Sequence, residues 1–275
     1  MSFTTADVVK LRKVTGAGMM DCKNALTDAG GNFDRALEII REKGKLVASK
    51  RADRDATEGA VLAKTTEDKK FGALVVLNCE TDFVAKNENF VAFADNILNV
   101  ALAQKPENLD SLKGLDLEGR TIEAQVTEQT GVIGEKLDLS YYGKIEAETV
   151  VSYIHPGNKL ATLVGFSKAG VEEQVTKDIA MQVAAMSPVS VDTESIPQEV
   201  INKELEIARE KFRQEGKPEA MLDKIAQGAL QKWYKEVTLL NQAFIKDGKM
   251  TVKDYLAQYD KDLKVTGFER FALDS

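Results

Sequence analysis

The sequence is poor in the residues that many enzymes and metal proteins use for chemistry. Histidine occurs once, at His155, and cysteine twice, at Cys22 and Cys79, among 275 residues. A single imidazole argues against zinc and other imidazole-rich metal sites, although carboxylate sites stay open. Two thiols make no disulfide framework, and nothing directs the chain to an oxidising compartment, so a cytoplasmic location is expected. No apolar run approaches the roughly 18 residues of a membrane helix. The longest strand-like one, Ala73 to Leu77, has the length of a strand. The opening residues MSFTTADVVKLRKVTG lack the basic start and apolar block of a secretory signal. Basic residues are outnumbered: 37 Lys and Arg against 44 Asp and Glu leave a net charge of −7. Proteins that wrap nucleic acid are usually basic, so no direct nucleic-acid partner is expected, and a local patch at Lys45 to Arg54 is the one place to look for an exception. The phosphate loop G-x-x-x-x-G-K-[ST], the dinucleotide fingerprint and the G-x-S-x-G elbow are all missing. No cofactor and no metal are implied.

What is present is a series of modules. With 43% hydrophobic residues the chain can bury real cores, and its length suggests about two domains. Residues 1 to about 45 read as three short helices. The first carries Val8, Val9, Leu11 and Val14 and stops at Gly16; the second runs from Met19 to Ala29 and ends at Gly30-Gly31. Asn32 is placed to cap a third, with Phe33, Ala36, Leu37 and Ile40 at helical spacing, ending at Gly44. Lys45 to Glu58 then reads as a linker. Beyond it lies an internal repeat. Strand-like segments Ala60–Ala63 and Ala73–Leu77 precede a helix with Phe90, Phe93, Ala94, Ile97 and Leu98, ending before Pro106. Thr149–Ile154 and Leu160–Phe166, joined by His155-Pro156-Gly157-Asn158, precede a helix with Val175, Ile179 and Val183, ending before Pro188. Thr121–Thr130 reads as helical and Lys136–Val150 as strand-rich. Residues 197–236 pattern as an antiparallel helical hairpin turning at Gly216-Lys217-Pro218, followed by a helix at Val252–Tyr259 and a strand at Val265–Leu273.

The expected fold class is therefore α+β. It comprises a three-helix module and linker (residues 1–54), two related hairpin-plus-helix subdomains (55–140 and 141–196), an inserted helical hairpin (197–236) and a short C-terminal module that also completes the core (237–275). The most informative stretch is Asn78-Cys79-Glu80-Thr81-Asp82-Phe83-Val84-Ala85-Lys86-Asn87. A buried strand ends at Cys79 and a helix begins near Asn87. The connection sets an aromatic beside an acid. Two readings are open: Thr81 or Asp82 caps a turn while Phe83 tucks into the core, or Phe83 is a rigidly mounted wedge. A Cys79–His155 pair is the one arrangement for thiol catalysis, against which Cys79 reads as a small buried residue and His155 as part of a polar turn.

The motif TDFVAKN after VLNCE, together with TGAGMMDCKNAL at Thr15–Leu26, IAMQVAAMSP at Ile179–Pro188 and the HPG turn at His155, resembles the bacterial elongation factor Ts family. The resemblance spans the chain in order. It implies a ubiquitin-associated-like N-terminal module, a two-part core and a coiled-coil-like insertion. It further implies a guanine-nucleotide exchange factor for elongation factor Tu, acting in translation without covalent chemistry. On that resemblance Thr81, Asp82, Phe83 and Val84 occupy the segment associated with displacing Mg²⁺ from the partner GTPase. Arg12, Met19, Met20 and His155 match partner-binding positions. A higher-order complex through the helical hairpin is left open. The chain departs from the family pattern at Ala243, where Pro is usual, and at Lys159, where Arg is frequent. An adaptor that binds some other helix through its N-terminal module is the competing reading, and would be independent of Asp82 and Phe83.

Overall fold

Caps and glycines delimit the first helices as the sequence pattern requires, in a computed structural model that describes residues 3–273. Helix α1 (Thr5–Thr15) starts at a capping box: Thr4 accepts from the Asp7 amide, and Asp7 accepts from the Thr4 amide at 2.7 Å. Gly16 closes it in the left-handed region at φ 73°. Helix α2 (Met19–Asp28) and helix α3 (Phe33–Lys50) complete the module, with the Asn32 side chain capping α3 at the Arg35 amide, 2.9 Å away. Leu11, Cys22, Leu26 and Ala36 form its small core.

Helix α3 does not stop at Gly44, as its sequence suggests, but continues to Lys50. Gly44 is buried where α3 crosses helix α7 (Ile122–Ile133). A Cβ on Gly131 of α7 would lie 2.1 Å from the Gly44 Cα. The glycine permits close approach of two helices, and this packing outweighs the roughly 1 kcal/mol by which glycine disfavours a helix interior. The expected linker shrinks to a short stretch that is itself fastened. Arg51 pairs with Glu80 at 2.7 Å, and the Lys136 ammonium donates to the carbonyls of Ala52 and Arg54 at 2.8 and 2.9 Å.

Strands β1 (Glu58–Thr65) and β2 (Phe71–Cys79) pair antiparallel with Val61 opposite Val76. A short helix α4 (Asp82–Ala85), helix α5 (Glu88–Gln104), helix α6 (Leu109–Lys113) and a small ribbon of β3 (Asp116–Leu117) and β4 (Arg120–Thr121) lead into α7. Strand β5 (Asp138–Glu146) then joins the free edge of β2. The second half repeats the plan with β6 (Thr149–Ile154), β7 (Leu160–Phe166) and helix α8 (Glu173–Met186). Its sheet is completed from far along the chain. The helical hairpin α9 (Gln198–Gln214) and α10 (Leu222–Val237), the ribbon β8 (Ala243–Phe244) and β9 (Asp247–Thr251), and helix α11 (Val252–Tyr259) all precede β10 (Val265–Ala272). Strand β10 pairs with β7 as β5 pairs with β2. The orders β1-β2-β5 and β10-β7-β6 place the second strand of each hairpin at the centre of its sheet.

The sheets stack face to face. Alternate residues of one sheet, Ala60, Leu62, Val75 and Leu77, pack toward α5, while Val61, Ala63, Leu74 and Val76 meet Val150, Ala161 and Leu163 of the other sheet. This two-sided burial explains why FGALVVLNC is apolar almost throughout instead of alternating. Helix α8 covers the far face of the second sheet through Val175, Ile179, Ala180 and Val183. The core is thus four layers, helix–sheet–sheet–helix. No residue of α9 is buried, and its packing partner is α10. The hairpin therefore stands away from the core.

Candidate functional site

The end of β2 sets the geometry of the turn beyond it. Cys79 is the last strand residue and is fully buried. Thr81 is extended at the N-cap of α4, and its hydroxyl accepts from the Val84 amide at 3.4 Å. The chain then makes one helical turn before it re-enters the core at Ala85 and Phe90. Of the two readings of Phe83, the structure takes the outward one: the ring is 84% exposed. Thr81 is the capping residue, and Val84 is half-buried against the core beneath α5. Asp82 pairs with Lys86 at 2.6 Å, and this hydrogen bond holds its carboxyl below the usual range, with Lys159 adding a smaller effect.

Glu135 and Glu80 escape a reading by sequence. Glu135 accepts from the Thr81 amide at 3.0 Å and from the Thr81 hydroxyl at 2.7 Å. Glu80 accepts from the Lys136 amide at 2.6 Å and from Arg51, and these interactions, the amide first, lower its pKa. Both acids lie in ordinary polar surroundings along the chain, and no spacing rule links residue 81 to residue 135. Arg51 is thereby engaged with a carboxylate and is not available as part of a free basic patch.

The other expected positions lie on the N-terminal module and on the β6–β7 turn. The α1–α2 corner, Lys13 to Gly16, and the pair Val84 and Asn87 line one cleft of about 600 Å³ together with residues of α5 and α7. Arg12 and Met20 are exposed on the same module, with Met20 63% exposed, but neither lines the cleft. Met19 is half-buried against the three-helix core. The adjacent methionines therefore point to different environments, as the small size of that core requires. On the other side of the turn, Asn158 and Lys86 border a shallow groove. Lys159 ion-pairs with Glu58 at 2.8 Å. His155 is exposed, with its Nδ1 2.9 Å from the Tyr153 hydroxyl.

The thiol-enzyme reading fails on this geometry. Burial, helped by the nearby Glu135 charge, pushes the Cys79 thiol up to about 12. The thiol donates to the Thr81 carbonyl at 3.2 Å, while His155 is turned to Tyr153 at the surface. A protonated, enclosed thiol is no nucleophile. Among the described residues, no group of three or more His, Cys, Asp or Glu is arranged to hold a metal, and no helix is long and apolar enough to cross a membrane.

The chain is a split α+β sandwich that presents one exposed aromatic side chain on a clamped turn and carries a small helical module at its N-terminal end. The family described as Elongation factor TS matches residues 80–275. The chain is 53% identical to the elongation factor Ts of Porphyromonas gingivalis over the whole of both chains. It is 52% identical to that of Azobacteroides pseudotrichonymphae, covering 100% of this chain and 99% of the relative. With that of Bacteroides fragilis it shares 42% identity over 99% of each. The chain belongs to the elongation factor Ts family. Members of this family are guanine-nucleotide exchange factors for elongation factor Tu and carry out no covalent catalysis.

Proposed function

We propose that this chain binds elongation factor Tu in its GDP state and promotes GDP release by disturbing the partner's Mg²⁺ site, with Phe83 as the wedge. The observation that carries the reading is the 84% exposure of a phenylalanine on a turn whose ends are both anchored. An aromatic ring left in water on a flexible loop would be free to fold back onto apolar surface; here the anchors on either side keep it outward. The four residues divide the work. Phe83 and Asp82 meet the GTP-binding domain, while Thr81 and Val84 hold the turn that presents them. Arg12 and Met20 supply a second contact from the N-terminal module. The exposed methionine is well suited to it, being flexible and polarisable. His155, at the tip of the second hairpin, contributes at the margin.

Linkage gives the mechanism. GDP and Mg²⁺ support each other on the GTPase. A factor that favours a GTPase conformation with a disrupted Mg²⁺ site weakens GDP binding, and GDP weakens binding of the factor to the same extent. Couplings of about 1–3 kcal/mol correspond to roughly 5–150-fold in affinity. No bond is made or broken; contact energy stabilises the open state. The test is the release of a fluorescent GDP analogue from elongation factor Tu. Wild type accelerates release, and a folded Phe83→Ala variant is slower by about 30-fold, as expected for loss of a buried anchor worth about 2 kcal/mol. No acceleration by wild type removes the exchange function. Equal acceleration by both removes Phe83 as the wedge.

A further inference from the structure

Phe83 is too exposed for its own contacts to orient it, and a single helical turn does not persist unaided in water. Its orientation must come from the residues that hold the turn. Ala85 and Val84 anchor the exit by packing. The entrance is anchored at Thr81, and there the dominant partner is Glu135, contributed by the segment between α7 and β5. We infer that Glu135 is a positioning residue for nucleotide exchange: by engaging both donors of Thr81, its carboxylate fixes the Asp82–Ala85 turn and so aims Phe83. This inference rests on the reading of Phe83 as the wedge.

The two contacts, Thr81 amide to Oε2 at 3.0 Å and Thr81 hydroxyl to Oε1 at 2.7 Å, use both oxygens of one charged group. Such charge-assisted bonds are roughly twice as strong as neutral ones. They also set the direction of the hydroxyl. Its only proton goes to Glu135, which leaves its lone pairs for the amide of Val84, the third residue of the turn. The carboxylate therefore selects the Thr81 rotor state that caps α4. Glu135 is itself held on both sides. Gly134 ends α7 in the left-handed conformation at φ 80°, and the following Lys136 amide is taken by Glu80 at 2.6 Å. A third tie, the Cys79 thiol to the Thr81 carbonyl at 3.2 Å, closes the entrance from within the core. A turn ordered before docking has less freedom to lose on binding, and this is the advantage that the clamp confers.

The experiment compares GDP release from elongation factor Tu across a range of factor concentrations for the parent, Glu135→Ala, Glu135→Gln, Phe83→Ala and the Glu135→Ala/Phe83→Ala double variant. Glu135→Ala is expected to lower the maximal release rate by about tenfold through lost preorganisation. Glu135→Gln is expected within about threefold of the parent, since the carboxamide accepts from the Thr81 amide and donates to its hydroxyl without the charge. In the Phe83→Ala background Glu135→Ala adds less than about threefold, because the ring is gone and only Asp82 remains to be presented. Amide hydrogen exchange of the free factor then quickens at residues 81–86 and stays unchanged in β2. A Glu135→Ala variant at the parent rate, with Phe83→Ala slow, overturns the positioning role and leaves the wedge intact. Equal slowing in both backgrounds, or loosened exchange throughout β2, shows a general role in the fold and overturns it too. If Phe83→Ala is itself without effect, the wedge reading falls and this inference falls with it. Should Glu135→Ala not fold, Thr81→Val removes the hydroxyl half of the clamp, and the same cycle with Phe83→Ala decides.

Discussion

Between β2 and α5 the chain makes a capped helical turn that holds a phenylalanine in solvent. At the corresponding place between β7 and α8 it makes a loop, Ser167 to Glu172, that passes through Gly170 at φ 69°. There the apolar residue, Val171, packs against the core, and Lys168 pairs with Asp260 at 2.6 Å. The amides of Ser167 and Lys264 engage the opposite residue's carbonyl and hydroxyl at 2.9 and 3.0 Å. The two halves share strand order, hairpin and covering helix, yet one connection is tied down by the C-terminal module and the other is braced outward. Sandwich symmetry thus accounts for stability, and the departure from it marks the place where partner binding is expected. A repeat in the fold does not imply a repeat in function.

The largest effects should respect the symmetry. Ile97 of α5 and Ile179 of α8 are both fully buried, each where its helix covers its sheet. Truncation of either to alanine is expected to destabilise by about 2–5 kcal/mol, measured by urea unfolding. A loss confined to one site would show that one half carries the fold and the other merely rests on it.

The connections should break the symmetry. Phe83→Ala is expected to lose about 30-fold in GDP release while stability changes by less than about 0.5 kcal/mol, as at other exposed positions. Val171→Ala should do the reverse. Removing two methyl groups from a half-buried site destabilises by about 1 kcal/mol, and release of GDP continues at the wild-type rate. Paired kinetics and unfolding curves for both variants check the crossover. An exchange defect in Val171→Ala would mean that the second connection also faces the partner.

Much of this architecture is legible along the chain. The repeat of hairpin, helix and proline is visible because hydrophobic runs and turn residues are local signals. Three features are not. Gly44 carries the same signal whether it ends a helix or lets one pass close to Gly131, and only the neighbouring helix decides. The third strand of each sheet arrives from far along the chain, so no local pattern assigns β5 or β10 to its partner. The orientation of Phe83 depends on Glu135, whose connection to Thr81 has no periodicity. The motif singles out a segment; which way its ring faces is a tertiary question.

The smallest expected effects concern the ion pair beside each connection, Lys86 with Asp82 and Lys168 with Asp260, both at 2.6 Å. In each the lysine hydrogen bond is the main cause that holds the carboxyl below its usual range. A lowered folded value stabilises above the unfolded carboxyl pKa of about 3.9, and the contribution is lost as pH falls through the folded value. Lys86→Ala and Lys168→Ala should therefore lower the thermal midpoint slightly at pH 6, and the difference from wild type should shrink as pH falls through the lowered folded values of Asp82 and Asp260. Such exposed pairs contribute little, so curves parallel to wild type at every pH would show that neither contributes. Thermal scans cannot tell the two pairs apart if the halves are equivalent. GDP release can: Lys168→Ala should leave it unchanged, whereas Lys86→Ala frees the acid beside Phe83 and should shift it by less than about fivefold. A larger shift for Lys168→Ala would move the partner's footprint across the core and end the distinction between the two connections.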